Sequence, residues 1–272
     1  LEPLWSTKTE TASRLRQRME STFAFAFTKL KIKRDNPAAW GGNLKELLPK
    51  PGKLKKGQNH PALPVTEIGA FMAKLREERT GIAAKALEFA ILTATRSGEV
   101  RGARWDEIDL EAAVWTVPAE RMKAHKEHRV PLSKPAIKLL KALEREGDLI
   151  FPAPGGDDEQ LSDATLAAVI KRMHETEVAA GRKGYLDPKQ NRVATPHGMR
   201  STFRDWCAEH TNTPQDLAEM ALAHTIKNKV ESAYRRGDML EKRAKLMQQW
   251  AQFIARPMET GTVVSLRGSQ HG

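Results

Sequence analysis

Apolar side chains recur every three to four positions over residues 8–32, where Leu15, Met19, Phe23, Ala26, Phe27 and Leu30 make a stripe flanked by Arg14, Arg16 and Arg18. That period is helical, and it predicts one long helix stopped by Asp35-Asn36-Pro37. A shorter helical piece near 37–48 follows. Residues 49–64, PKPGKLKKGQNHPALP, have no period and are rich in Pro, Gly and Lys, which predicts a spacer between domains. Helical spacing resumes at 66–79, and then an apolar helix, AAKALEFAILTAT, runs directly into Arg96.

Alternation replaces helical spacing at Val114-Trp115-Thr116-Val117 and again at Arg129-Val130-Pro131-Leu132. It predicts two short strands with the polar segment 120–128 as their turn. Helices near 134–146 and 162–180 are separated by Leu149-Ile150-Phe151 and a Pro-Gly-Gly-Asp-Asp turn. A loop at 181–194 leads into a helix carrying His197, and helices near 214–222, 227–235 and 239–254 come after it. There is no internal repeat. The whole pattern predicts a mainly α protein with a small antiparallel β-sheet (α+β). The expected domains are a helical one over 1–58, a linker at 59–64, a larger one over 65–255 and a polar tail at 256–272. The larger domain is long enough to bury a proper core, whereas the first would be marginal alone.

Charge adds a partner to this picture. Lys and Arg number 45 against 34 Asp and Glu, a formal net charge of +11 with a pI near 9.8. A polyanion is the implied ligand. Residues 1–60 hold 13 of the cations and 5 of the anions, so most of the net charge is N-terminal. Arg14, Arg16, Arg18, Lys29, Lys31, Lys33, Lys53, Lys55 and Lys56 are the expected nucleic-acid contacts. The one cysteine, Cys207, excludes an internal disulfide and fits a reducing compartment. No apolar run approaches membrane-spanning length, which predicts a cytoplasmic protein without a membrane partner. The chain begins without Met and reads as a fragment or an excised piece.

The densest chemistry lies in TPHGMRSTFRDW (195–206), LAHT (222–225) and Tyr234. His197 and Arg200, three apart, share a helix face, and an imidazole and a phenol follow. Such groups suit the holding and attack of a phosphodiester, although His197 after Thr-Pro also suits a plain helix start. Upstream, Arg96 emerges where an apolar helix ends, and a half-buried guanidinium needs an anion. Glu99 supplies one, either as a simple ion pair or as an orienter that leaves the remaining donors for a phosphate. Lys123 sits in the hairpin turn, with Lys126 competing for any role there. His125 and His128 have no carboxylate or cysteine partner at ligand spacing, and no metal site is expected. No phosphate-binding Gly-rich loop is present, so no nucleotide cofactor is expected either.

In this order Arg96 (TRSGEVRGARW), Lys123 (MKAHKEHRVPLS), His197 and Arg200 (PHGMR), His224 (LAHT) and Tyr234 (ESAYRRGDMLEKR) resemble the tyrosine recombinases, or phage-type integrases. The likeness extends over about 65–255, and HPALPVTEIGAFMAKLRE with the wording around Tyr234 is more similar to prophage and genomic-island integrases than to cellular chromosome-dimer resolvases. The resemblance implies that Tyr234 attacks the scissile phosphate to give a 3′-phosphotyrosyl enzyme and a free 5′-hydroxyl. It implies that Arg96 and Arg200 bind the phosphate, His224 adds a donor, His197 handles the tyrosine proton and Lys123 protonates the departing oxygen. No metal, cofactor or ATP is needed.

The implied partners are double-stranded DNA attachment sites, three further copies in a tetrameric synapse, and accessory DNA-bending or excisionase proteins. The first domain would be a shortened core-type DNA-binding domain, without the arm-type domain of many such integrases. The implied location is the bacterial nucleoid, for a protein encoded by a bacterium or phage. Two rival functions share these features: DNA relaxation of the type IB topoisomerase kind, and a regulator that grips its site without cutting.

Overall fold

In the computed structural model, which describes residues 1–54, 59–155, 159–224 and 237–256, the helix expected over 8–32 forms as one helix with a short unexpected helix before it. Helix α1 (Glu2–Thr7) and helix α2 (Thr9–Lys29) meet at Lys8, whose φ of −127° and ψ of 52° leave helical space. The break lets Trp5 stack on Trp40 with ring centroids 5.6 Å apart and donate from Nε1 to the Pro49 carbonyl at 2.8 Å. Trp5, Ala12 and Leu48 are this unit's small buried core. The stripe that predicts the helix is partly uncovered: Leu15 is 44% exposed, Met19 36% and Leu30 66%. The helix expected near 37–48 shrinks to Lys45–Leu47 because Gly42 takes a φ of +76°.

Of the cations expected to face DNA, Arg14, Arg18, Lys29, Lys31, Lys33 and Lys53 are exposed, and Lys55 and Lys56 lie outside the described residues. Arg16 is the exception and corrects the expectation. It is buried, its Nη1 donates to Glu20 Oε2 at 2.6 Å and to the Ala38 carbonyl at 2.9 Å, and its guanidinium lies 5.7 Å from the Trp40 ring centroid. A carboxylate, a carbonyl and an aromatic face hold this cation inside the unit, so it is committed to internal partners.

The chain divides into two units, Leu1–Asn59 and a second beginning at His60. The second unit holds α3 (Ile68–Glu78), α4 (Ile82–Thr93) and α5 (Ser97–Arg101), then β1 (Ile108–Asp109), β2 (Val114–Val117) and β3 (His128–Pro131). After these come α6 (Lys134–Lys141), α7 (Thr165–Ala179), the hairpin β4 (Leu186–Asp187) and β5 (Arg192–Val193), α8 (Pro196–His210), α9 (Gln215–Ala221) and α10 (Leu240–Phe253). The helix expected at 227–235 lies outside the described residues. Strands β1, β2 and β3 pair antiparallel in that order, with Trp115 opposite both Ile108 and Val130. The expected mainly α fold with a small antiparallel sheet is what forms. β1, β4 and β5 escape the alternation test because two residues cannot show a period of two.

Helix α4 is the centre of this core. Its Phe89 packs on Trp115 and Phe151 at 5.3 and 5.5 Å between centroids. Trp250 of α10 donates from Nε1 to the Ile91 carbonyl at 2.8 Å and packs edge-on against Phe203 of α8. So α4, α8 and α10 are locked together by buried rings, and the ends of α4 and α8 become fixed points on which a site can be built.

Residues 60–63, read in the sequence as linker, are bonded into the second unit. The Pro61 carbonyl accepts from Thr195 N at 3.0 Å, Ala62 N donates to Asp187 Oδ2 at 2.9 Å, and the Leu63 carbonyl accepts from Thr202 Oγ1 at 2.6 Å. This strap crosses the start of α8 so closely that a Cβ on Gly198 would lie 1.7 Å from the Pro61 oxygen.

Candidate active site

Helix α4 ends at Ala94, whose φ of +52° and ψ of 28° reverse the chain. Arg96 emerges from that turn as the N-cap residue of α5, where the sequence predicts a Ser-Gly turn. Glu99 fixes it twice: Oε2 accepts from the Arg96 backbone N at 2.9 Å, and Oε1 accepts from Nη1 at 2.7 Å. The carboxylate thereby caps the helix and holds the guanidinium. Glu99 itself is buried, and its carbonyl accepts from Arg121 Nη2 at 2.7 Å. Arg121 also meets Glu107 at 3.1 Å, and Glu107 accepts from Trp115 Nε1 at 2.9 Å. This chain of bonds pins the base of the β2–β3 turn beside Arg96.

Arg200 comes from the first turns of α8 and is buried. Its Nη1 donates to the Ala94 carbonyl, and its Nη2 donates to the Leu222 carbonyl at 2.6 Å. Arg96 Nη2 donates to the neighbouring Ala223 carbonyl at 3.3 Å. Both guanidiniums are thus tied to the turn that follows α9. Burial, and then the charge of Arg96, pull the Arg200 pKa down to about 10, with Glu99 and Glu219 opposing. It remains a cation at neutral pH, yet it touches no carboxylate among the described residues, and its Nε finds no acceptor there. A buried cation satisfied only by carbonyls is short of an anion.

His224 completes the cluster. A left-handed Ala223, with φ of +49°, turns the chain after α9. The imidazole Nδ1 then pairs with Glu219 Oε2 at 2.5 Å and Nε2 lies 3.4 Å from Arg200 Nη2. Glu219, held also by Arg204 Nε at 2.7 Å, fixes the ring orientation. His197 is the second residue of α8, whose N-cap Thr195 accepts from Gly198 N at 3.0 Å. The ring of His60 packs against it at 4.3 Å between centroids. Partial burial, then the charges at His60, Arg200, Arg96 and His224, lower the His197 pKa to about 4, so the imidazole is a neutral acceptor at physiological pH.

Lys123 is exposed in the β2–β3 turn and forms no ion pair with a described residue; Lys126 is exposed in the same turn. Tyr234 lies outside the described residues. The chain re-enters them at residue 237, and Arg243, fully buried in α10, anchors it there. Its Nε donates to the Asp238 carbonyl at 2.7 Å, and its Nη1 donates to the Arg129 carbonyl at 2.6 Å. The other tyrosine, Tyr185, is buried edge-on against Phe71, with its phenol pKa raised chiefly by burial. Cys207 is buried and its thiol is pushed up to about 12.

The structure therefore brings Arg96, Glu99, His197, Arg200 and His224 into one electrostatic cluster. Sequence reasoning missed Glu219, Arg121, Glu107, Arg243 and His60. Each acts on a partner remote in sequence or at a helix end, and the 3.6 and 2 periods are blind to both.

The sequence model of the phage integrase family matches residues 62–241, and that of the phage integrase central domain matches residues 1–43. Prophage integrase IntA of Escherichia coli (strain K12) is 32% identical over 259 residues, an alignment covering 94% of this chain and 57% of IntA. The integrase of Enterobacteria phage P4 is 29% identical over 266 residues, covering 92% of this chain and 56% of that protein. The chain thus spans little more than half the length of these relatives. A lambda integrase dimer bound to a COC′ core site has a similar fold, with a TM-score of 0.54 at 19% identity, over 82% of this chain and 74% of that one. A lambda integrase tetramer bound to a Holliday junction matches with a TM-score of 0.52 at 19% identity, over 81% of this chain and 60% of that one.

Proposed function

Because this chain belongs to the phage integrase family, we propose that it is a site-specific DNA recombinase that cuts and rejoins DNA through a 3′-phosphotyrosyl intermediate. The observation that carries the reading is the convergence of Arg96, Arg200 and His224 on the turn at 222–224, with Arg200 buried and touching no anion among the described residues. A phosphodiester is the anion that this donor set fits. Two guanidiniums offer planar forks to its non-bridging oxygens, and they stabilise charge most where water is excluded.

In this reading the Tyr234 phenol oxygen bonds to phosphorus as the bond from phosphorus to the 5′-oxygen breaks. Deprotonating a free phenol at pH 7 costs about 4 kcal/mol, a cost that nearby cations reduce. The phenol proton passes to His197, whose neutral ring is ready to take it. Lys123 donates a proton to the departing 5′-oxygen. The phosphotyrosine keeps the energy of the broken bond, so a 5′-hydroxyl from another strand can reverse the step without ATP.

Residues 1–58 are proposed as a core-type DNA-binding domain and 65–255 as the catalytic domain, to which the strap at 60–63 is bonded. The substrate is proposed to be double-stranded attachment-site DNA, bound by a tetramer of this chain, with DNA-bending or excisionase proteins assisting in the cytoplasm. Among the described residues no helix is long and apolar enough to cross a membrane.

A nicked suicide duplex tests the chemistry. The parent and Tyr185→Phe are expected to form a covalent protein–DNA adduct, and Tyr234→Phe to bind without forming one. Adduct in the Tyr234 variant would move the nucleophile elsewhere. DNA binding with no adduct in any variant would favour a regulator, and relaxation without strand exchange a topoisomerase.

A further inference from the structure

We propose that His60 is a positioning residue of this active site, packed on the ring of His197 so that the imidazole keeps one orientation and one face away from water. The inference rests on the reading of His197 as acceptor of the Tyr234 proton.

His197 stands at the start of α8, where a side chain has no preceding helical turn to lean on, and it is exposed. The packing on it comes from the strap. The His60 ring lies 4.3 Å from that of His197, tilted by 51°. Three features hold His60 there. Pro61 restricts the residue before it to extended backbone. The Pro61 carbonyl accepts from both Thr195 N and Thr195 Oγ1, at 3.0 and 3.3 Å, and Ala62 N is held by Asp187. Gly198 removes the Cβ that would strike the Pro61 oxygen, so the strap can cross directly over the helix start. A strap bonded to the helix that carries His197 presents His60 at a fixed height over that ring.

The consequence is chemical as well as steric. The titratable and charged groups facing His197 are His60 on the strap, Arg200 on α8, Arg96 at the start of α5 and His224 beyond α9. All disfavour a second positive charge, and partial burial adds the largest share, holding the pKa at about 4. Removing the His60 ring wets the face of His197 that it covers and frees its rotation, so the ring titrates nearer its ordinary 6.5.

The test compares the full chain with His60→Ala, His60→Phe and His197→Ala. The readouts are single-turnover adduct formation on a nicked suicide duplex at several pH values, gel-shift affinity, and NMR titration of the His197 ring. His60→Ala is expected to slow adduct formation roughly ten- to hundredfold at pH 6, since a displaced base loses part of its catalytic advantage. Its DNA affinity should be unchanged, and the acidic limb and the His197 titration should both move upward. His60→Phe, which restores a ring without a charge, should recover most of the rate. An unmoved His197 titration with parent-like rates in His60→Ala overturns the proposal, as does a Phe variant as slow as the Ala variant. If His197→Ala forms adduct at the parent rate, the reading of His197 as the proton acceptor falls, and this inference with it. A slow His197→Ala beside a normal His60→Ala removes this inference alone.

Discussion

Gly198→Ala tests the strap from the helix side. On an open helix this exchange gains up to about 1 kcal/mol, because alanine loses less backbone freedom on folding. Here the new Cβ would lie 1.7 Å from the Pro61 oxygen, 2.5 Å from its carbonyl carbon and 2.9 Å from Ala62 Cα. All three are backbone atoms, so no side chain can swing aside. Either α8 tilts and pulls its buried Phe203 and Trp206 off Trp250, or the strap lifts. Lifting the strap breaks the bonds from Thr195 N and Thr195 Oγ1 to Pro61, and the bond from Ala62 N to Asp187. Each is worth about 1 kcal/mol, and overpacking against a fixed neighbour costs roughly 1–3 kcal/mol. The cost exceeds the propensity gain, leaving roughly 2–4 kcal/mol of destabilisation. For a unit of this size that lowers the melting temperature by roughly 5–15 °C. Differential scanning calorimetry of parent and variant measures it. A melting temperature equal to or above the parent's refutes the reasoning, because helix propensity would then have outweighed a contact that cannot be made.

Three further outcomes follow from particular residues. Lys123→Ala is expected to cleave ordinary DNA very slowly and to recover when the bridging 5′-oxygen is replaced by sulfur, since a thiolate leaves without a proton; Lys126→Ala should match the parent on both substrates, and rescue of Lys126→Ala in place of Lys123→Ala would shift the role by three residues. Replacing Arg14, Arg18 and Lys29 together by Gln should weaken DNA binding and flatten the log–log salt dependence by up to roughly 2.7. Arg16→Gln should instead lower thermal stability, and a reversed pattern would undo the assignment of Arg16 to the interior. The Glu177 carboxyl is held at about 2, first by its hydrogen bond from Arg182 and also by Lys74, against the opposing effect of burial. Because its folded pKa lies below the ordinary 4.5, the carboxylate stabilises the fold above that pH and loses its contribution as pH falls toward 2. The melting-temperature gap between the parent and Glu177→Gln should therefore be widest above pH 5 and close near pH 2; a gap independent of pH would show that the ion cluster contributes nothing.

Much of this protein is legible along the chain because its signals are local. Helical spacing marks α3, α4 and α6 to α10, alternation marks β2 and β3, and Asp35-Asn36-Pro37 and the Pro-Gly turns mark the breaks. The motif residues Arg96, His197, Arg200 and His224 are legible for the same reason: each stands in a short run whose wording is distinctive. The first unit reads less well. Its stripe of Leu15, Met19 and Leu30 has helical spacing, yet the unit's buried core is made by Trp5, Ala12 and Leu48. Spacing reports which residues share a face and says nothing of what covers that face.

Sequence alone determined most of the order of elements, the basic N-terminal end and which side chains are candidates for holding a phosphate. Only the tertiary structure decided that Arg16 turns inward while Arg14 and Arg18 remain exposed, because burial depends on where residues 36–40 return. Only it decided that Arg200 donates to carbonyls 106 and 22 residues away and meets no carboxylate among the described residues. It alone placed His60 on His197 across 137 positions of chain. Periodicity is a property of neighbours in sequence, whereas a guanidinium's partners and a ring's cover are properties of neighbours in space, and long-range packing chooses those.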